Sequence, residues 1–196
     1  MATDTARWTD YYQKTAGRPP RPTLLFALDR FAAPGFAVDL GCGDGRDTIA
    51  LLRRGWPVLA IDSEAIAIAR VAARPDLPPG GALETRVARF EAAAWPPADL
   101  INASFCLFFC EAAAFPALWR KVIDTLKPGS RFAGQLLGER DSWAGRPHVV
   151  VHDDDSLGRL LAGFTVEMHD IEETDSVTPR GEAKHWHLHH LVLRKA

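Results

Sequence analysis

Apolar positions along the 196 residues fall into short runs separated by stripes at helical spacing. Phe36 to Leu40, Pro57 to Asp62, Leu83 to Ala88, Asp99 to Ser104 and Arg131 to Leu137 read as five strands. Phe164 to Glu172 and Trp186 to Arg194 read as two more. Trp8, Tyr11 and Tyr12 sit at helical spacing in a segment from Thr3 to Lys14. The run Arg18-Pro19-Pro20-Arg21-Pro22 is extended, because each proline biases its predecessor away from helix. Thr23 caps a predicted helix through Leu24, Leu25, Leu28 and Phe31, which Pro34-Gly35 stops. Further helices are expected from Asp47 to Arg54, from Glu64 to Ala73 behind a Ser63 cap, from Ala112 to Leu126, and near Leu157 to Leu161. Strands alternating with helices predict a mostly parallel sheet covered on both faces. No repeat or linker interrupts the pattern, so residues 1–196 are expected to form a single domain.

One junction carries chemistry. Val38-Asp39-Leu40-Gly41-Cys42-Gly43-Asp44-Gly45-Arg46-Asp47 reads as strand, glycine turn and first helical turn. Asp62 follows about twenty residues later, at the end of the next strand. This pairing suits an adenosine, with glycines letting backbone approach the ligand and a carboxylate offering two oxygens to ribose hydroxyls. The glycines are spaced G-x-G-x-G, and Arg46 stands where a dinucleotide fold wants its third glycine. An acid inside the turn, Asp44, repels a pyrophosphate but suits a cationic ligand such as S-adenosylmethionine. A nicotinamide dehydrogenase is therefore disfavoured.

Val38 to Asp47, with Ile61-Asp62, resembles the first two motifs of class I S-adenosylmethionine-dependent methyltransferases. The G-x-G-R-D run and the closing Lys184-His185-Trp186-His187 block resemble the bacterial tellurite-resistance and thiopurine group of small-molecule methyltransferases. The resemblance implies a Rossmann-like, seven-stranded α/β fold whose final strand runs antiparallel beside the fifth. It implies S-adenosylmethionine as cofactor and S-adenosylhomocysteine as product. Asp39, Gly41, Cys42 and Gly43 then contact the cofactor's methionine end, with Asp62 and Ser63 at the ribose. Phe90 and Glu91 fall at the turn expected near adenine, although core packing explains Phe90 equally well. Asn102 and Ala103 complete the cofactor set, and Ser104-Phe105-Cys106 forms the tip nearest the transferring methyl.

That tip also discriminates. Amine methylation of flipped bases uses an Asn/Asp-Pro-Pro-aromatic tip, and cytosine-C5 chemistry needs a Pro-Cys nucleophile; neither is present. A net charge of −2 likewise gives no case for nucleic acid. Trp8, Arg46, Ser104, Phe105 and Trp143 are the candidate acceptor-pocket residues, each with a plain packing or surface alternative. Residues 1–22 are expected to form a helical lid, with Tyr12 the candidate catalytic group if the acceptor needs a base. His185, His187 and His189 share a strand face, but no acid or cysteine completes a ligand set, so no metal is expected.

Three cysteines form no disulfide framework and suggest a reducing compartment, hence the cytoplasm. No apolar run is long enough to span a membrane, and the N-terminus lacks a secretory signal. The reaction expected is methyl transfer to a small molecule, a soft nucleophile such as a thiol, a selenium or tellurium species, or a halide. The protein is expected to act as a monomer or homodimer. The alternative is a non-catalytic cofactor-binding or partner-binding protein on the same fold.

Overall fold

The computed structural model describes residues 4–196, with side chains from Trp8 onward; Thr3, expected to open the first helix, lies outside the described residues. The chain begins with α1 (Asp4–Thr15) and α2 (Pro22–Leu28), then β1 (Ala37–Leu40), α3 (Arg46–Arg53), β2 (Val58–Asp62), α4 (Ala65–Ala72) and β3 (Leu83–Val87). It continues through β4 (Ala98–Ala103), α5 (Phe115–Thr125), β5 (Leu126–Gly138), β6 (Val151–His152), α6 (Asp154–Leu161), β7 (Phe164–Val177) and β8 (Ala183–Lys195). The strands pair in the order β3-β2-β1-β4-β5-β8-β7, and β8 alone runs antiparallel to its neighbours.

Several expectations shift. A short eighth strand, β6, pairs with the end of β5, and a 3-10 turn forms at Leu107–Phe109. Both are too short to leave a periodic signal. The last two strands run on to Val177 and back from Ala183, because an exposed hairpin of alternating polar residues needs no apolar run. Thr23 does not cap α2. It is buried and accepts a hydrogen bond from Gln135 Nε2 at 3.0 Å. Ser63 does not cap α4 either, since Asp62 Oδ1 accepts the Glu64 N–H at 2.9 Å and holds the turn. Asp153, at the start of α6, is a side-chain cap, accepting the Ser156 N–H at 2.8 Å.

β1 and β2 are buried along their whole length, as central parallel strands must be. Alternation sorts their side chains. Val38, Leu40, Leu59 and Ile61 join one core with Trp119, Val122 and Phe132, on the face carrying α5. Ala37, Val58 and Ala60 join the other, with Leu24, Ile49, Leu51 and Val71 from α2, α3 and α4. A third apolar cluster, Phe108, Leu137 and Leu188, gathers Phe105, Trp143 and Trp186 at the strands' C-terminal edge. The chain's direction along the sheet reverses between β1 and β4, and a crevice opens above their C-terminal ends, the usual place for a ligand in such sheets. Among the described residues, no helix is long and apolar enough to cross a membrane.

Candidate functional site

The turn after β1 is built from left-handed backbone, with φ of 61° at Gly41, 56° at Gly43 and 84° at Gly45. Two of these glycines are also crowded: a Cβ on Gly41 would lie 2.4 Å from Cys106 Cβ, and one on Gly43 would lie 3.2 Å from Tyr12 Cε1. Gly41→Ala therefore combines a left-handed L-residue, costing roughly 1–2 kcal/mol, with a clash against the β4 tip. We expect the variant to melt several degrees lower in thermal denaturation and to show cofactor affinity weakened more than tenfold by calorimetry. Asp62, at the end of β2, accepts the Gly43 N–H on Oδ2 at 2.9 Å. With the Glu64 N–H on Oδ1, both oxygens are anchored by backbone, and each keeps a further acceptor site.

Strand alternation turns Asp39 toward α3, away from the crevice. Its carboxylate accepts Thr48 Oγ1 at 2.5 Å and Asn102 Nδ2 at 2.8 Å and is almost wholly buried. Asn102 Nδ2 also reaches Asp47 Oδ2 at 3.2 Å, and Asp47 Oδ1 receives the Arg21 N–H at 2.9 Å. Burial first, and the Asp47 carboxylate second, push the Asp39 carboxyl up to about 7. Between its ordinary value and that one, the folded protein holds a proton that the unfolded chain has released, so stability falls as pH rises. Asp39→Asn removes this loss. Its unfolding midpoint relative to the unaltered protein should climb between about pH 5 and about pH 8 in thermal scans; parallel profiles would refute it.

Two cavities open along the crevice. The smaller, about 130 Å³, is lined by Gly41, Gly43, Asp62 and Ser63, by Phe90 and Glu91 after β3, and by Ser104 and Phe105 after β4, with Tyr12 from α1. The larger, about 460 Å³, is walled by Phe105, Phe108, Trp143 and Trp186. Trp8, Tyr11, Phe105 and Phe109 line both, so the cavities share one aromatic wall. Asp39, Cys42, Asn102 and Ala103 line neither; they lie under the turn and the strand ends. Arg46 lines neither as well, its Nε donating to the Pro19 carbonyl. Burial pushes the thiols of both Cys42 and Cys106 well up, so neither is a thiolate.

Tyr12 is buried with its ring against Gly43. Burial, and then the nearby Asp62 carboxylate, push its phenol up from its ordinary value, so it stays protonated. It offers a donor and not the base the sequence suggested. At Glu91, Oε1 accepts Arg89 Nη2 at 2.9 Å and the Glu111 N–H at 3.2 Å, while Oε2 is buried without a partner. Burial would raise this carboxyl, but the hydrogen bonds it accepts, from backbone and Arg89, outweigh that and hold it below its ordinary value.

Tyr11, Arg89, Cys106 and Phe109 also line the smaller cavity; the sequence placed them in the lid helix, the turn after β3 and the β4 tip without naming them as cofactor contacts. The sequence left Arg18 and Arg21 open between a carboxylate contact and a plain turn, and passed over Arg146, His148 and Arg180, all at the larger cavity. The left-handed non-glycine residues among those described are Phe105 and His148, at φ 56° and 63°, and both line the larger cavity. Behind its wall, Lys184 Nζ forms an ion pair with Asp141 in which neither side chain is exposed. The same ammonium stands 4.3 Å from the Trp143 ring and 4.4 Å from the Trp186 ring. Asp141 also accepts the Trp143 N–H at 2.9 Å and the His187 N–H at 3.2 Å. The rings of His187 and His189 lie 5.0 Å apart and His189 contacts His169, while His187 also contacts Arg140 and His185 contacts Asp175. Among the described residues no group of three His, Cys, Asp or Glu side chains is placed to hold a metal ion.

This sheet order, with a glycine turn and an anchored acid at its switch point, is the Rossmann-like arrangement found in methyltransferase structures. Residues 37–129 match the family model of the methyltransferase domain. Trans-aconitate 2-methyltransferase of Rhizobium meliloti (strain 1021) is 29% identical over 185 residues, covering 87% of this chain. This chain spans 66% of that relative's length. Among solved structures, TehB from Haemophilus influenzae superposes with a TM-score of 0.77 at 17% identity, over 96% of this chain and 67% of that one. Magnesium protoporphyrin IX methyltransferase (ChlM) from Synechocystis PCC 6803 with bound S-adenosylmethionine gives 0.71 at 12% identity, over 98% and 92%. Residues 37–129 thus match a methyltransferase domain, on a fold that resembles that of TehB.

Proposed function

We propose that the protein transfers the methyl group of S-adenosylmethionine, bound in the smaller cavity, to a small molecule in the larger one. The shared wall of Trp8, Tyr11, Phe105 and Phe109 carries this reading, because it brings the two chambers together above β1 and β4. The residues fit the cofactor. Asp62 keeps acceptor sites for ribose hydroxyls, and the Glu91 carboxylate, whose Oε2 has at most the weak Cys110 thiol as donor, can accept from the adenine amino group. Phe90 packs beside that ring, and Gly41 and Gly43 admit the methionine end past their backbone. Ser63 lies at the ribose side, while Asp39, Cys42, Asn102 and Ala103 support the turn from beneath.

Bound S-adenosylmethionine supplies a methyl group already activated for displacement. The acceptor's lone pair forms the new bond to that carbon while the carbon–sulfur pair returns to sulfur. What the protein adds is alignment and exclusion of water, from α1 as a lid and from the aromatic wall. A Tyr12 phenol kept protonated by burial and by Asp62 is in keeping with an acceptor already nucleophilic near neutral pH, such as a thiolate, another soft nucleophile or a carboxylate. The net charge of −2 supports a small molecule over nucleic acid, and three unpaired cysteines support a cytoplasmic setting.

The test is incubation with methyl-labelled cofactor and a panel of thiols, chalcogen oxyanions, halides, carboxylates and amines. Label transferred to a small molecule supports the reading. Binding of cofactor without transfer to any member would replace it with that of a cofactor-binding protein.

A further inference from the structure

We propose that the larger cavity is a site for a flat, largely apolar acceptor bearing a carboxylate, and that Arg21 is the specificity-determining residue that receives the carboxylate. This rests on the methyltransferase reading and names the substrate class of that same site. Four arginines line the cavity, Arg18, Arg21, Arg146 and Arg180, with Glu182 the acid facing them. Among the described residues, none of the four takes part in an ion pair; those found involve other side chains. Arg18, Arg146 and Arg180 are exposed and solvated, whereas Arg21 is half-buried, and a guanidinium partly removed from water without an ion-pair partner gains most from an anion.

Arg21 is the best placed. Its guanidinium lies over the Phe105 ring, 3.9 Å from its centre, and its backbone N–H is fixed by Asp47. Stacking occupies the flat face and leaves the in-plane N–H fork free for a carboxylate's two oxygens. The pedestal beneath is rigid. Phe105 sits in left-handed backbone, and its N–H donates to Gln135 Oε1 at 3.1 Å. Gln135 in turn donates to Thr23, two residues beyond Arg21, so one buried amide holds ring and arginine in register. Strain kept at a ligand wall by surrounding contacts is a mark of function.

Size and surface then choose between anions. About 460 Å³ is the range of organic ligands, and a halide or small oxyanion would leave Phe108, Trp143 and Trp186 facing water. A carboxylate paired with a guanidinium is a weak nucleophile, so it serves as the handle and the methyl goes to another atom of the same molecule.

The probes are trans-cinnamate, its neutral isostere cinnamamide, and tellurite. Fluorescence of Trp8, Trp143 and Trp186 reports their binding to protein saturated with S-adenosylhomocysteine. Cinnamate should saturate and bind at least tenfold more tightly than cinnamamide, and tellurite should not displace it. Arg21→Met, which keeps an apolar stem, should weaken cinnamate at least tenfold with S-adenosylhomocysteine affinity unchanged in calorimetry. Equal binding of cinnamate and cinnamamide, displacement by tellurite, or unaltered cinnamate affinity in Arg21→Met would each overturn the proposal. The two readings fail separately: S-adenosylhomocysteine that does not bind the unaltered protein sinks the methyltransferase reading. Cinnamate against cinnamamide on the unloaded protein still decides the carboxylate site.

Discussion

Asp62→Ala should raise the dissociation constant for S-adenosylmethionine at least a hundredfold in calorimetry, with circular dichroism unchanged. The carboxylate does two jobs. It offers both ribose hydroxyls a charged acceptor, and hydrogen bonds to charged groups are worth about 1.5–3 kcal/mol each. It also ties the Gly43 and Glu64 N–H groups, so its loss frees the glycine turn as well. A hundredfold corresponds to about 2.7 kcal/mol, so loss of the sugar contacts alone would suffice. The fold survives because burial already pushes this carboxyl up, and removing it relieves that cost. Affinity within threefold of the unaltered protein would show that the acid does not touch the cofactor.

Asp141→Ala should be the most destabilising substitution at the larger cavity. Removing one partner of a buried ion pair strands the other, typically at about 3–5 kcal/mol. Burial already pushes the Lys184 ammonium down, and Asp141 is the counter-charge working against that push. At about 2–4 °C per kcal/mol for a chain of this size, the unfolding midpoint should fall by roughly 10 °C. Asp141→Leu combined with Lys184→Met should recover much of the loss, since no charge is then left unpaired. A single variant that melts within a degree or two of the unaltered protein would show the pair to be inconsequential.

The smaller cavity was legible because its signals are local. Gly41, Gly43 and Asp62 lie within one strand-helix-strand unit, where backbone geometry ties spacing to position. Asp39 was legible as a residue but not as a direction: Val38 and Leu40 claim one face of β1, so Asp39 must meet Thr48 on the other. The larger cavity was largely hidden. Its walls arrive from α1, the Arg18–Arg21 segment, the β4 tip, the loop after β5 and the turn before β8, and no period links them. Trp143 and Trp186 could be flagged singly, yet Lys184 between them gave no sign that it is buried opposite Asp141. Helix starts failed where a neighbouring carboxylate outcompeted the nearest hydroxyl, as Asp62 did with Ser63.

A partition that faces two chambers cannot be ordered for one tenant alone. When either ligand stiffens Trp8, Tyr11, Phe105 and Phe109, the second finds that entropy already spent and binds more tightly. Thermodynamic reciprocity then requires donor and acceptor to raise each other's affinity by one common factor.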